Sequence, residues 1–511
     1  MSLARSMSPL VAPVFADGSA GSSQTALTHS GRRLLYGELK RDVIATAEWL
    51  ARMGVNPGDR VAFVLPKSIE TVALVLAVLS AGAAYVPINH RLPASAVRSI
   101  LQDVQPRLVV MEATRASELA GNAAFPGLSI AVAGANGLTL LTAASGGPPA
   151  PSPIQDLAAI LYTSGSTGEP KGIMLSSRNI LSFVEWAATS FSLTSADSTA
   201  NHAPLHFDLS ILDVFATLSR HGTVHLIDET TARFPGALRT LIDKERISIW
   251  YSVPTALVHL EERQALKGAD SLRLILFAGE VFPMPALRRL MMQLPKPQYA
   301  NLYGPTETNV CTYYRLPGIP ASDGDVLPIG RPCEHLEVQI CDAEGRAVRA
   351  GETGEICVAG SAVMSGYWQQ PERTDAVRLS GRPDSYRTGD YGHVRADGLM
   401  MLSGRRDQQA KLRGHRIELL ALEAALNAHP ELKEAAASVV PDERTGGLLV
   451  VHAVARSERP ALSEIRTFLS ARLAPYYQPD RIEWLSEMPR TATGKCDRSR
   501  LRSMAEQSAK S

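Results

Sequence analysis

Thr163-Ser-Gly-Ser-Thr-Gly-Glu-Pro-Lys-Gly172 packs four hydroxyls, three glycines and one lysine into ten residues. Glycine admits backbone conformations closed to other residues and lets the chain approach a ligand closely. Successive N–H groups in such a turn form an anion-binding concavity. Thr163, Ser164, Gly165, Ser166, Thr167, Gly168 and Lys171 therefore read as a phosphate-binding loop. It is not the G-x-x-x-x-G-K-[ST] loop of the common NTPases, because Gly168 is followed by Glu169-Pro170-Lys171-Gly172.

The chain around this loop predicts an α/β protein. Apolar, strand-like runs at Arg60–Leu65, Arg107–Met111, Ala158–Tyr162, Thr223–Ile227, Ile247–Ser252 and Leu272–Ala278 alternate with helical stretches. That alternation favours helices layered on largely parallel sheets. The apolar run from Thr71 to Ile88 is broken by Gly82 and Pro87, so it reads as a buried helix and strand rather than a membrane span. Ala135–Pro153, rich in small residues and proline, reads as a surface loop. From about Ile329 short strands and turns take over, with Asp397-Gly398 as a hairpin turn.

The predicted organisation is a large N-terminal domain, residues 1–403, of layered sheets and helices with a small β-barrel-like part. A small, mobile α+β C-terminal domain, residues 404–511, follows. At 511 residues the chain is too long for one hydrophobic core. A net charge of +1 leaves no basic footprint for nucleic acid. Five cysteines without C-x-x-C spacing suggest neither a disulfide framework nor a zinc site, which makes a reducing cytoplasm the default. His202 and His206 have helical spacing, but Pro204 between them argues against a metal pair.

Five further stretches are more polar or glycine-rich than a core requires. They are His206-Phe-Asp-Leu-Ser210, Asn301-Leu-Tyr-Gly-Pro-Thr-Glu307, Tyr386-Arg-Thr-Gly-Asp390, Gly404–Leu419 and Pro489-Arg-Thr-Ala-Thr-Gly-Lys-Cys-Asp-Arg498. With the phosphate loop, and in this order, they resemble the adenylate-forming superfamily. Its members join a carboxylate to the α-phosphate of ATP, release pyrophosphate and pass the acyl group to a thiol. The resemblance covers nearly the whole chain.

It implies ATP and Mg²⁺ as cofactors and a role for each matching residue. Thr163 to Lys171 would hold the β- and γ-phosphates, Thr306 the α-phosphate and Glu307 the Mg²⁺. Tyr303 would pack on adenine, read also by Asn301 and the backbone at Gly279, and Asp390 with Arg405 would hold the ribose. Lys495 would bridge the substrate carboxylate and the α-phosphate. Asp407 would be the hinge about which the C-terminal domain exchanges Lys495 for Lys411–Gly414, with Gly414 leaving passage for a thiol arm.

The same resemblance assigns the acid. In amino-acid-activating members the Asp208 position holds the substrate ammonium, and a carboxylate in an apolar pocket does need a cation. The pocket would be completed by Leu209, Leu212, Tyr251, Leu276, Ala278, Leu302, Val310 and Cys311, closing with Lys495. This set looks like that of stand-alone proline-activating enzymes of pyoluteorin- and prodigiosin-type pathways. Sixteen residues follow Lys495 (511 − 495), so a phosphopantetheine-bearing carrier protein is expected as a separate partner. No nucleic-acid or membrane partner is expected. The rival readings are a D-alanine:carrier-protein ligase, an acyl-CoA synthetase, and a non-catalytic interaction protein of the same fold.

Overall fold

The computed structural model describes residues 7–16, 23–120, 129–134, 137–142, 152, 154–164, 170–323, 325–405, 409–442, 445–490 and 496–510. Its largest sheet has nine strands, in spatial order Arg331–Pro332, Thr312–Arg315, Gln298–Tyr303, Leu274–Ala278, Ile249–Ser252, Ser198–Asn201, Thr223–Leu226, Thr25–His29 and Arg32–Leu35. The six strands from Gln298–Tyr303 to Thr25–His29 run parallel, and antiparallel strands close both edges. Strands such as Leu274–Ala278 and Ile249–Ser252 are buried along their whole length. That is why they read as unbroken apolar runs rather than as alternating ones.

A second sheet has eight strands, ordered Gly366–Tyr367, Pro170–Ser176, Leu157–Ser164, Ala84–Pro87, Arg60–Val64, Leu108–Met111, Ser129–Gly134 and Gly137–Thr142. The apolar run after residue 68 is the expected buried pair: helix Ile69–Ser80, capped by the Ser68 hydroxyl, then strand Ala84–Pro87. No helix among the described residues is long and apolar enough to cross a membrane. One expectation fails. Within the stretch read as a loop, Gly137–Thr142 is a strand that pairs antiparallel with Ser129–Gly134. Leu138-Thr-Leu-Leu-Thr142 carries the β-forming residues, and the surrounding glycine, alanine and proline masked them in the composition.

The small β part is a four-stranded antiparallel sheet of Leu336–Cys341, Gly354–Gly360, Ser385–Val394 and Met400–Arg405. Beyond it come the hairpin Gln409–Leu412 and His415–Glu418, helix Leu419–Asn427, and a sheet of Leu432–Val440, Leu448–Ala455 and Arg481–Trp484 flanked by helices Leu462–Ser470 and Arg498–Lys510. This last group buries its own apolar cluster, including Ile417, Leu422, Leu432, Val451 and Ile465.

Helix Ser177–Ser190 follows strand Pro170–Ser176 directly and fixes the end of the phosphate-loop hairpin. Its cap is reciprocal: the Asn179 N–H donates to Ser176 Oγ at 3.1 Å, and the Ser176 N–H donates to Asn179 Oδ1 at 2.8 Å. Asn179 Nδ2 also donates to the carbonyls of Ser361 and Val363, at 2.8 and 2.7 Å. The cap thus ties the start of this helix to the connection between the four-stranded and eight-stranded sheets. Ser176→Ala removes one acceptor and is expected to lower stability by about 1 kcal/mol, read as a lower urea midpoint.

Candidate active site

The quoted stretch begins and ends in two paired strands. Leu157–Ser164 and Pro170–Ser176 run antiparallel, with Thr163 opposite Lys171 and Ser164 opposite Pro170. Thr163, Ser164 and Lys171 are therefore strand residues, whereas Gly165, Ser166, Thr167 and Gly168 lie outside the described residues. Thr163 lines a cavity of about 390 Å³. Its Oγ is buried and has no hydrogen-bond partner among the described residues. A buried, unpartnered hydroxyl is costly unless a ligand meets it.

Lys171 turns into a buried cluster. Its Nζ donates to Glu307 Oε1 at 2.7 Å and to the Tyr367 hydroxyl at 3.1 Å, and lies 4.6 Å from the Tyr367 ring centre. Tyr367 donates to the same Glu307 oxygen at 3.0 Å, and its hydroxyl is 3.4 Å from that of Tyr386. Lys171 and Glu307 side chains are 2% and 0% exposed, which makes this a fully buried ion pair. The two residues expected on phosphate and on metal thus hold each other here.

Of the residues expected around the nucleoside, Tyr303 and Asp390 meet, off the cavity lining. The Tyr303 hydroxyl donates to Asp390 Oδ2 at 2.5 Å, and burial first, then Asp390, pushes that phenol well above its ordinary value. Asp390 stands opposite Arg405 across neighbouring strands. Asn301 Nδ2 is committed to the Pro328 carbonyl at 2.8 Å. Thr306 and Gly279 line the cavity.

Of the residues expected in the acid pocket, Asp208, Leu209, Tyr251, Ala278 and Val310 line the same cavity. Leu212, Leu276, Leu302 and Cys311 do not: they are at most 1% exposed and pack in the core behind it. The strands explain the split. Ala278 is at the cavity end of its strand, and Leu276 is two residues deeper on the same face, opposite Tyr251. Asp208 is 9% exposed and stands before helix Leu209–Ile211 without capping it by its side chain. Burial first, and then the Asp208 charge, raises the Tyr251 phenol well above its usual value.

Sequence reasoning missed Lys67. Its Nζ donates to the carbonyls of Asn201, His202 and Ala203, at 2.7, 3.1 and 3.1 Å, and so pins the chain that leads to Asp208. Asn201 Nδ2 in turn donates to Asp213 at 3.0 Å. Burial pulls Lys67 down to about 7 and pushes Asp213 up to about 8. Nothing in Pro66-Lys-Ser68 marks that lysine, because its partners are backbone carbonyls some 130 residues away.

The far wall of the cavity comes from beyond residue 404. Gly414, His415, Leu473, Tyr476 and Tyr477 line it. His415 stacks on Tyr476, with ring centres 4.1 Å apart. Burial lowers His206 and His415, both on the lining, to about 3 and about 4, so both are neutral imidazoles at neutral pH. Asp407 and Lys495 lie outside the described residues, as do the side chains of Ser164, Arg405 and Lys411.

The AMP-binding enzyme family model matches residues 16–368, and the model of the AMP-binding enzyme C-terminal domain matches residues 421–495. The chain belongs to the AMP-binding enzymes. Among its relatives is an L-proline--[L-prolyl-carrier protein] ligase of Pseudomonas fluorescens, 38% identical over 93% of this chain and 95% of that protein. A second protein of that name, from Streptomyces coelicolor, is 37% identical over 92% of this chain and 91% of its own length. Of solved structures, the amide bond synthetase McbA from Marinactinospora thermotolerans superposes with a TM-score of 0.85 at 26% identity, over 97% of this chain and 99% of that one.

Removing one member of a buried ion pair leaves the other charge uncompensated. Lys171→Met is expected to destabilise the protein by about 3–5 kcal/mol. Adding Glu307→Gln should recover much of that loss, so the two effects will not sum. Chemical denaturation of both single variants and the double variant measures the coupling.

Proposed function

We propose that the chain is an ATP-dependent L-proline:carrier-protein ligase. The observation that carries this reading is one carboxylate, Asp208, on the lining of a pocket whose neighbouring walls are Leu209, Ala278 and Val310. A secondary ammonium with two N–H groups meets that carboxylate, and a compact aliphatic ring fills the apolar wall. A fatty or aryl acid offers no ammonium to that carboxylate. The ligase names of the two relatives that the chain spans almost completely support the same substrate.

In the first step a proline carboxylate oxygen bonds to the α-phosphorus of ATP, and the bond to the leaving pyrophosphate breaks. Lys495 bridges the two anions, and Thr306 donates at the α-phosphate. Thr163 and the Ser164–Lys171 segment hold the pyrophosphate with oriented donors, Lys171 leaving its pair with Glu307 to do so. Asn301, Tyr303 and Gly279 seat the adenine, and Asp390 with Arg405 the ribose. Glu307 supplies a carboxylate, whose Oε1 is here held by Lys171 and Tyr367, so taking up an ion requires that pair to open. A carboxylate suits Mg²⁺, which takes one or two of them and completes its shell with phosphate and water. The ion would screen the triphosphate charge.

In the second step a thiol sulfur bonds to the prolyl carbonyl carbon, the bond to AMP breaks and the thiol loses its proton. The thiol belongs to the phosphopantetheine arm of a separate peptidyl carrier protein, passing Gly414 and Gly279. Residues 1–403 carry the first site, and residues 404–511 turn about Asp407 to bring in Lys495 for adenylation and Lys411–Gly414 for transfer. The prolyl thioester is the form oxidised to a pyrrole in the pathways that the pocket resembles. All five cysteines are free thiols, which suits a cytoplasmic enzyme.

Pyrophosphate exchange across amino acids tests the reading. L-Proline is expected to drive it, and exchange driven by D-alanine or a fatty acid but not by L-proline would sink it. Lys495→Ala should slow exchange by roughly 10²–10³-fold. Asp208→Ala should raise the KM for proline by about ten-fold or more and leave that for ATP unchanged; equal changes in both would remove the ammonium contact.

A further inference from the structure

Glu280 follows Gly279 at the end of strand Leu274–Ala278, and its carboxylate bridges two parts of the chain that meet nowhere in sequence. Oε2 accepts the Thr255 N–H at 3.0 Å and the Thr255 hydroxyl at 2.7 Å. Thr255 is in the first turn of helix Pro254–Glu262, so this oxygen satisfies an N–H that the helix itself leaves unpaired. Oε1 accepts the Gly414 N–H at 2.5 Å, from beyond residue 404. One side chain thus binds a helix start on one side of the contact and a backbone amide on the other.

The close approach at this bond leaves no room for a side chain at position 414. Gly414 has φ +77°, and a Cβ there would come within 2.5 Å of Val253 Cγ1. Gly279 has φ +91°, and a Cβ there would lie 4.0 Å from Gly414 Cα. Gly414 lets the backbones come together, and Gly279 is favoured by its positive φ rather than by crowding. Thr445 approaches the same seam, its carbonyl 3.2 Å from the Thr255 hydroxyl. Desolvation is the largest influence on the Glu280 carboxylate and raises it, while its Thr255 and Gly414 donors pull the other way. A carboxylate accepting fixed N–H donors out of bulk water makes a charge-assisted hydrogen bond, stronger than a neutral one.

We propose that Glu280 is a positioning residue that latches residues 404–511 in the thiol-transfer arrangement and takes no part in adenylation. This rests on the two-step reading above. Adenylation would need Lys495 in the cavity and the Gly414 segment elsewhere, so the Gly414–Glu280 bond would exist in one half of the cycle only. Losing it weakens transfer and leaves the first step alone.

The test separates the half-reactions in the full-length protein. Glu280→Ala and the isosteric Glu280→Gln are made, since the second keeps the side-chain volume if the first folds poorly. Transfer of pre-formed prolyl-AMP to pantetheine is expected to slow by about ten-fold or more. Pyrophosphate exchange is expected to stay within about two-fold, because no donor to the nucleotide is removed. Equal losses in both steps, or none in transfer, overturn the proposal. A second readout needs no substrate. Dyes on cysteines placed at the exposed positions Arg263 and Glu458, in a Cys496→Ser background, should report a smaller closed population in Glu280→Ala by single-molecule energy transfer. An unchanged distribution overturns the latch. Absence of exchange with L-proline in the unaltered chain would instead sink the substrate reading, leaving the dye measurement to decide the latch.

Discussion

The buried pair between Lys171 and Glu307 is the contact on which the meeting of the sheets before residue 405 depends. Lys171 comes from the phosphate hairpin of the eight-stranded sheet, and Glu307 from the segment that leaves the nine-stranded sheet after Tyr303. Tyr367, from the edge strand beside that hairpin, donates to the same oxygen, and Tyr386 of the four-stranded sheet stands next to it. All three sheets before residue 405 therefore meet at one carboxylate. Desolvating two charges costs several kcal/mol each, and such a pair persists only with good geometry and further hydrogen bonds. Here hydroxyls supply them. The pair is a weak source of stability but a strict condition on register, because shifting either large sheet by a residue would strand a charge in the core.

Around that fixed point the site divides by electrostatic role. Thr163 lines the cavity, whereas Lys171, Glu307 and Asp390 are buried off its lining. Asp208 is on another wall of the cavity, between Phe207 and Leu209, where the surroundings are apolar and two neutral imidazoles add no charge. A carboxylate there is open to the cavity, whereas Glu307 beside Lys171 is not. Tyr251, its phenol kept protonated by burial and by that same charge, adds a neutral donor to the wall. Lys67 does the supporting work from behind by holding the three carbonyls that precede the Asp208 segment.

Much of this was legible in the sequence, for identifiable reasons. Buried parallel strands write themselves as continuous apolar runs, and Leu274–Ala278 and Arg60–Val64 were found that way. The ordered polar motifs pointed to Thr163, Asp208, Thr306 and Gly414, which all line one cavity. What could not be read was depth and partnership. Counting along a motif placed Leu276 and Leu302 in the pocket, but position along a strand leaves them behind the wall. The Tyr303–Asp390 bond, the commitment of Asn301 to a carbonyl, and the three acceptors of Lys67 all join residues far apart in the chain. No local pattern encodes them. The missed strand Gly137–Thr142 has a different cause, since its flanking glycine and proline outweighed five β-competent residues.

Glu280 belongs to the unreadable class as well, and it shows how a seam between two units can be specified by very little. The meeting of residues 253–255 and 279–280 with Gly414 depends on two positive-φ glycines and one carboxylate. Glycine removes the steric bar without adding attraction, and the carboxylate adds attraction without filling space. A large apolar seam would hold the two parts together permanently, as a core does. The Glu280–Gly414 bond, with the Thr255–Thr445 bond and the Phe207–His415 ring contact across the same seam, defines an orientation without a core's worth of packing. Such a seam is what a cavity closed by a second unit requires, if substrate is to enter and product to leave by the same face.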